Sequence, residues 1–467
     1  MSLPDSGSRH APILTVASAF FLEVLDTTIM IVAIVPMAND LGTSISAATL
    51  SLATYLLALV LFVPLSGHLF KKLALAQRFQ FGLVIFCLAS LACAISQNLY
   101  VLCIARLAQG FGSALIVPAG RALILANTPK NQIPNAIAWL IAPALIAPMV
   151  APYMANLLLS IGNWRLIFCF IALCAAGLMI AGRITLHSLP RPNVSHLPFD
   201  IHAYGLWALS SSALFILFMA GSNNSIFYAA LAASTMLYSS ARLYKRLRQN
   251  RKEQLFDLTL FKDPLFKFNI ISGSFFRISI YAFPTVLIIH LMKHSNYSTL
   301  LIGHCLFFIF AGNLLSKPVA ARLLTNTPYL KRYFVYSSMV TAATLSLFFI
   351  PRLLNQLPTL WLICFLHGCA RSFQFLGYSS TSLRNVDPSR MHHANILITS
   401  VMQHNALIGQ VVPALLAALL IPAHLPTLTF FVMGMTTVTA LSVLTVLTAL
   451  CLPDSSAKID PVHCKPH

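Results

Sequence analysis

Charge is what this chain has least of, and negative charge above all. Of its 467 residues 9% are charged, against about a quarter in soluble domains, and only 11 are acidic. With 58% hydrophobic residues and a mean hydropathy of +0.80, a soluble globular domain is excluded. The ten cysteines include no C-x-x-C pair and no His/Cys ligand spacing, so neither a metal site nor a disulfide framework is expected. Cys87, Cys103, Cys169 and Cys364 sit in apolar runs and read as core thiols. No Gly-Lys dipeptide occurs, which excludes a P-loop and an ATP-driven pump built on one in this chain. No nucleophile and base constellation points to an enzyme, and nothing resembles a selectivity filter. The start, MSLPDSGSRHAP, lacks a basic n-region and a small-residue cleavage site, so the run after it reads as a retained first helix. The absence of an Arg/Ser-rich amphipathic transit segment points to a bacterial inner (plasma) membrane.

What the chain does have is long apolar runs. Intervals of about 17–25 residues long enough to span a bilayer fall near 13–36, 46–69, 77–95, 99–121, 134–158, 165–186, 202–221, 225–241, 268–291, 299–321, 332–350, 357–379, 394–421 and 427–451. The expected fold is therefore all-α and polytopic, with about fourteen transmembrane helices. The net charge of +19 comes without a basic patch interleaved with aromatics, so no nucleic-acid partner is expected. Instead the Lys and Arg gather in the even-numbered connections, as at Lys71, Lys72, Lys130, Arg191, Lys331, Arg332, Arg384 and Arg390. That bias marks cytoplasmic loops and puts both termini in the cytoplasm. It also supports 225–241 as a span, because without it every later basic loop would change sides. The basic stretch 241–267 reads as an interfacial linker between halves. The expected division is 1–190 as an N-terminal six-helix bundle, 191–267 as two additional helices with the linker, and 268–467 as a C-terminal six-helix bundle and tail.

Against that background Glu23 and Asp26 stand out, two acids inside ASAFFLEVLDTTIMIVAIVPMANDLG. A carboxylate in hydrocarbon costs roughly 2.5–3.5 kcal/mol on insertion scales and is retained where it faces a protein interior or a watery path. Their i, i+3 spacing puts both on one helix face. The fourth run carries Arg106 and Gln109 one turn apart, followed by Gly110 and Gly112. At 1.5 Å per residue Asp26 stands roughly 20 Å above the cytoplasmic end and Arg106 roughly 10 Å below the outer end. In a core of about 30 Å these depths coincide, so the two can pair, and protonating the acid would break the pair. Gly110 and Gly112 read first as close helix packing. Arg121, near the cytoplasmic end, reads as a snorkelling or lipid-phosphate residue before a substrate contact. Pro143, Pro148 and Pro152 in the fifth run remove backbone donors, leaving a rocking seam or a merely kinked helix as alternatives.

LDTTIMIVAIVPMANDLG (25–42), RLAQGFGSALIVPAGRAL (106–123), APALIAPMVAP (142–152) with NWRLIF (163–168), and LFDLTLFKDPLFKFN (255–269) resemble successive signatures of one family. It is the 14-spanner drug:proton antiporters, the EmrB/QacA-like multidrug efflux branch of the major facilitator superfamily. The resemblance covers nearly the whole chain. It implies two six-helix bundles with two extra central helices and proton-driven export by alternating access, with no cofactor and the proton gradient as energy source. It further implies Asp26 as the first-helix acid, Arg106 and Gln109 as the fourth-helix motif, and Pro143 and Pro148 in the antiporter helix; proton coupling is expected at Asp26, Glu23 and Arg106, with Gln109 among the cavity and gating residues. The chain departs from the family where the first cytoplasmic loop, GHLFKKLA, has Lys71 in place of an acid and Ala74 in place of Gly.

The second half has no acid in its apolar runs but has Arg277, Arg371, His290, His304, His367 and His404. The arginines face a cavity or snorkel to an interface. Each histidine reads first as hydrogen-bonded within the bundle; His404, beside Gln403 and Asn405, would titrate near neutrality if it lined a cavity. Acids on one side and bases on the other would accept anionic or zwitterionic compounds as well as lipophilic cations. The leading expectation is an exporter of drugs or other small amphipathic molecules, with the substrate, protons and the lipid bilayer as partners and a periplasmic adaptor unassigned. A dedicated exporter of an endogenous metabolite or siderophore is the alternative within that class. A non-transporting sensor or scaffold with a transporter fold is the alternative outside it.

Overall fold

A computed structural model of the chain describes residues 6–70, 73–129, 132–186, 200–222, 226–249, 256–294, 299–326, 329–387, 390–420 and 427–452. Lys71, Lys72, Lys130, Arg191, Arg251 and Lys252 lie outside the described residues. Within them the protein is helical: α1 (Ser6–Asp40), α2 (Ile45–Leu69), α3 (Leu75–Ala94), α4 (Leu99–Ala126), α5 (Ile133–Ile161), α6 (Arg165–Leu186), α7 (Ile201–Ser222), α8 (Ile226–Gln249), α9 (Pro264–His294), α10 (Thr299–Leu315), α11 (Lys317–Asn326), α12 (Leu330–Ser346), α13 (Pro351–Leu354), α14 (Leu357–Thr381), α15 (Met391–Leu420) and α16 (Thr427–Leu450). Each of the fourteen expected intervals falls on helix, thirteen of them on one main helix each. Among the described residues nine stretches, including α1 to α6, α9 and α16, are long and apolar enough to cross a membrane. α14 falls below that apolarity because it carries side chains such as Arg371 and Gln374, both buried.

Two expectations need correction. The interval 299–321 is divided by a turn at Ser316 into α10 and α11, while 303–324 remains one stretch long and apolar enough to cross a membrane. Pro318 supplies no backbone donor for the ladder, and the Ser316 hydroxyl caps the Gly312 carbonyl at 2.7 Å. Cys169 is no core thiol: it lies exposed on α6, whereas Cys93, Cys305 and Cys364 are buried. All nine described cysteines are free.

The chain forms two compact units, 1–240 and 241–467. In the first, α1 packs on α5 and α6, α2 on α4, and α3 on α4 and α6. In the second, α9 packs on α15 and α16, α10 on α14, and α12 on α14 and α16. Counting α9, α10, α12, α14, α15 and α16 as first to sixth, these are the same five pairings. An internal repeat is thus present in the helix pairings of the two units. The seventh helix belongs to the first unit. Pro64 leaves the Val60 carbonyl of α2 without its ladder donor, and α7 answers with Trp207 Nε1 to Val60 at 3.5 Å and the Tyr204 hydroxyl to Leu61 at 3.1 Å.

Small residues set the spacing at α4. A Cβ on Gly110 would stand 2.5 Å from the Tyr55 carbonyl oxygen of α2, and one on Gly112 would stand 2.7 Å from the Phe86 nitrogen of α3. Neither position has room for a side chain, so α4 lies against its two neighbours backbone to backbone. The packing reading of these glycines holds.

The acids outside the helices do structural work. Asp200 accepts from the amides of His202 and Ala203 at the start of α7, and Asp263 from those of Leu265 and Phe266 at the start of α9. Carboxylates at helix N-termini satisfy orphan donors and suit the dipole. Asp40, at the end of α1, accepts from Trp164 Nε1 at 2.9 Å and from Arg165 at 2.5 Å. Arg165 also donates to the Ser96 carbonyl at 2.8 Å and stacks on Trp164. The NWR segment therefore fastens the ends of α1 and α3 to the start of α6.

Candidate functional site

On α4 the polar residues Arg106, Gln109 and Ser113 follow i, i+3, i+7 and are buried, while Tyr100, Val101 and Ile104 point outward and are exposed. An apolar outer face and a polar inner stripe are what a lipid-facing bundle helix requires. Arg106 and Asp26 of α1 are both fully buried, and Arg106 Nη1 meets Asp26 Oδ2 at 2.6 Å. The same nitrogen donates to Gln109 Oε1 at 2.6 Å, and Gln109 Nε2 donates to Asp26 Oδ1 at 3.0 Å and to Ser90 Oγ of α3 at 2.9 Å. Arg106 Nε reaches the Ser51 carbonyl of α2 at 3.4 Å. The Tyr55 ring lies 4.5 Å and the Phe168 ring of α6 5.7 Å from the guanidinium carbon, a cation–π cradle suited to a desolvated cation. Five helices thus converge on one ion pair.

Glu23 is placed differently. One turn before Asp26, it is half-buried and accepts a hydrogen bond from the Tyr55 hydroxyl at 3.4 Å. Tyr55 therefore touches both acids' surroundings, with its ring against Arg106 and its hydroxyl on Glu23. The arrangement has a defined chemistry. A proton on Asp26 removes the charge that compensates Arg106, and a buried charge stripped of its partner is unfavourable by several kcal/mol.

The other residues singled out in the first unit lie apart from this pair. Arg121 is exposed, 15 residues along α4 from Arg106, about 22 Å at 1.5 Å per residue. Pro143 is half-buried and Pro148 and Pro152 are buried on α5, which stays helical through all three and packs along α1. Ala74 stands before α3, whose start is held by its own loop: Gln77 Oε1 accepts from the Ala74 amide at 3.0 Å, and buried Arg78 donates to the Leu73 carbonyl at 2.9 Å.

In the second unit Arg277 of α9 and Arg371 of α14 are 6% and 7% exposed, so neither snorkels. Arg371 lies 5.0 Å from the Phe310 ring of α10. His367 accepts or donates across 3.2 Å with the Thr344 hydroxyl and packs on Phe283. His290 stacks on Phe431 and His304 faces Trp361. His304 Nδ1 also lies 2.8 Å from the Leu300 carbonyl, so the hydrogen-bonded reading fits His367 and His304. His404 is half-buried on α15, next to Asn405, which donates to Ser274 of α9 at 3.0 Å.

The sequence family described as Major Facilitator Superfamily matches residues 16–410. The chain belongs to this superfamily. It is 29% identical over 426 residues, 90% of this chain and 88% of the relative, to "Putative multidrug resistance protein MdtD" of Escherichia coli O6:H1 (strain CFT073). It is 28% identical over 425 residues, with the same coverage, to the protein of that name in Shigella flexneri serotype 5b (strain 8401). Among solved structures, the POT family transporter PepTSo superposes with a TM-score of 0.67 at 11% identity over 97% of this chain and 99% of its own. A bacterial homologue of the human lysosomal transporter Spinster, inward-facing and unoccupied, superposes at 0.63 with 14% identity over 96% of each chain. At such identities the likeness is one of fold. The protein is a membrane transporter and not an enzyme, as its family indicates, and among the described residues no His/Cys/Asp/Glu group is placed to hold a metal.

Sequence reasoning missed Tyr55, Ser90 and Phe168. Tyr55 and Ser90 are ordinary residues within apolar runs, with no charge and no local motif to mark them, and Phe168 closes the NWRLIF segment without any sign of its partner; only the crossing of α2, α3 and α6 at Arg106 gives each a part.

Proposed function

We propose that this protein is a proton-driven exporter of drugs or other small amphipathic molecules, working by alternating access in a bacterial inner membrane. The observation that carries the reading is the buried Asp26–Arg106–Gln109 network, with the second acid, Glu23, half-buried one turn away. In this reading Glu23 is the entry point for a proton and Asp26 the coupling site. With Asp26 ionised the ion pair holds α1 to α4; with Asp26 protonated Arg106 is released and the other conformer gains population. Coupling then follows from the two conformers' different proton affinities. Pro143 and Pro148 give α5 the compliance to move along α1. The relatives' name supports drug efflux as the substrate class. The proposed arrangement has fourteen crossings in two six-helix bundles, with two additional helices and the basic linker of 191–267 between them and both termini in the cytoplasm.

The deciding experiment is gradient-dependent efflux in a host stripped of its own pumps, with a panel of lipophilic cations, neutral drugs and iron-chelating carboxylates. Wild type is compared with Asp26→Asn. Export by wild type that an uncoupler stops and the variant lacks supports the reading. Equal export by the variant would remove Asp26 from the coupling role, and a panel that does not move at all would favour a sensor or a narrower metabolite exporter.

A further inference from the structure

Where the start of α9 meets the end of α16, the two packed helices leave a cavity of about 420 Å³ between them. Its lining runs from Pro264 to Ser272 on one side and from Leu444 to Leu452 on the other. Each side covers eight residue steps, about 12 Å at 1.5 Å per residue. One leaflet of a bilayer core is about 15 Å deep. The cavity therefore reaches from the helix ends through most of one leaflet.

Its walls suit an acyl chain. Ile271, Leu444 and Leu447 are exposed and open the cavity outward, while Phe268, Ser272 and Leu452 form a buried floor. The floor offers little to a polar guest, because Ser272 Oγ lies 2.7 Å from the Tyr378 hydroxyl and accepts from Thr448 Oγ1 at 2.8 Å.

Charge selects the headgroup. Lys267 is the one charged side chain on the described lining; it is exposed, and it makes no ion pair among the described residues. Asp263, one turn earlier, is engaged elsewhere: it accepts from the Leu265 and Phe266 amides and from the Asn385 side chain, each at 3.2 Å. Lys262, exposed just before α9, adds a second cation to this helix end. A basic pocket between helices at the cytoplasmic face takes anionic lipid headgroups, and a lysine above an apolar groove extends its stem along the chain and its ammonium to the phosphate.

We infer that this groove holds an anionic phospholipid, with one acyl chain between α9 and α16 and the phosphate on Lys267. The lipid comes from the leaflet at this end of the second unit, the cytoplasmic one in the arrangement proposed above. The site requires the membrane setting and not the export reading.

The test releases full-length protein from nanodiscs of equal phosphatidylglycerol and phosphatidylcholine and identifies the retained lipid by native mass spectrometry. Phosphatidylglycerol is expected to stay preferentially. Lys267→Gln should lower that preference about fivefold, the effect of one basic side chain at an anionic lipid surface, and Lys267→Arg should keep it. Leu447→Trp fills the groove from an exposed position and should displace the lipid while leaving the Tm in phosphatidylcholine unchanged. Cys451, a free and exposed thiol on the lining, is a native reporter. Its alkylation by N-ethylmaleimide should be slower in phosphatidylglycerol than in phosphatidylcholine nanodiscs, whereas exposed Cys169 of α6 should react alike in both. Equal retention of the two lipids, a preference that survives Lys267→Gln or Leu447→Trp, or equal alkylation of Cys451 would overturn the site. So would protection of Cys451 in phosphatidylcholine by inorganic phosphate or by tetraphenylphosphonium, which would make the groove a free-anion or a substrate site. Efflux enters none of these readouts, so failure of the export reading and failure of the lipid site are separate results.

Discussion

Arg106 and Gln109 stand one turn apart on α4, and the guanidinium donates to the amide oxygen at 2.6 Å while the amide nitrogen is turned onto Asp26. Gln109 therefore completes a closed ring of three side chains in which each touches the other two. Its orientation is forced from outside as well, because the amide also donates to Ser90.

That ring predicts a stability cycle. Asp26→Asn leaves Arg106 buried without its counter-charge, and breaking a buried pair from one side costs about 3–5 kcal/mol. The double variant Asp26→Asn/Arg106→Gln removes both charges and should recover most of the lost Tm in detergent. Efflux should remain absent in both. Recovery of efflux along with stability would mean that the pair is a structural staple.

The close approach of α4 predicts an asymmetric response to adding one methyl group. Gly110→Ala puts a Cβ 2.5 Å from the Tyr55 carbonyl and 2.7 Å from the Ala58 Cβ, and overpacking of this kind costs about 1–3 kcal/mol. Because Tyr55 also cradles Arg106, export should fall with the Tm. Gly177→Ala on α6 meets nothing within 4 Å and should leave both unchanged or raise the Tm slightly through helix propensity.

The helix framework was legible in the residues because bilayer thickness imposes length and apolarity on every span. The Asp26–Arg106 pairing was legible for a similar reason: few charges occur in these runs, and helix rise alone places these two at one depth. What remained hidden depends on crossings. Nothing about Tyr55 or Ser90 in the sequence indicates that they meet Arg106 or Gln109, and the five helix pairings shared by the two units depend on crossings that no local pattern reports. Pro318 was a local signal for the break at Ser316, but the apolar run continued through it and masked the turn. Lys71 shows the opposite case, a departure plain in sequence that lies outside the described residues.

Outside the membrane, Asp257 predicts a pH dependence. Burial raises its affinity for a proton, but hydrogen bonds from the Thr259 hydroxyl and amide and from Arg390 outweigh burial and hold the carboxyl below the usual range. A depressed folded value means that the pair's stabilisation is complete above the unfolded value of about 3.9 and is lost as pH falls through the folded one. Arg390 is 34% exposed, so the contribution is small, about 1 kcal/mol or less. Asp257→Asn should lower the Tm at pH 7, and the gap from wild type should close progressively below about pH 5. A gap constant from pH 7 to pH 3 would show that the carboxylate's charge plays no part.

Pro148 is the sharpest test of how the first unit moves. It is buried on α5, the helix packed along α1, and its ring removes the donor that the Ala144 carbonyl would otherwise receive. Pro148→Ala restores that bond, so a static account and a mechanical account agree that the Tm should rise or hold. They part on rate. If α5 is the compliant element, straightening it should slow export several-fold while substrate binding, read by thermal shift, stays as it was. If Pro148 is only a tolerated kink, export should keep pace with wild type at unchanged or higher stability. Measuring turnover and binding on the same preparation separates the two, because a lost seam lowers the first and leaves the second alone.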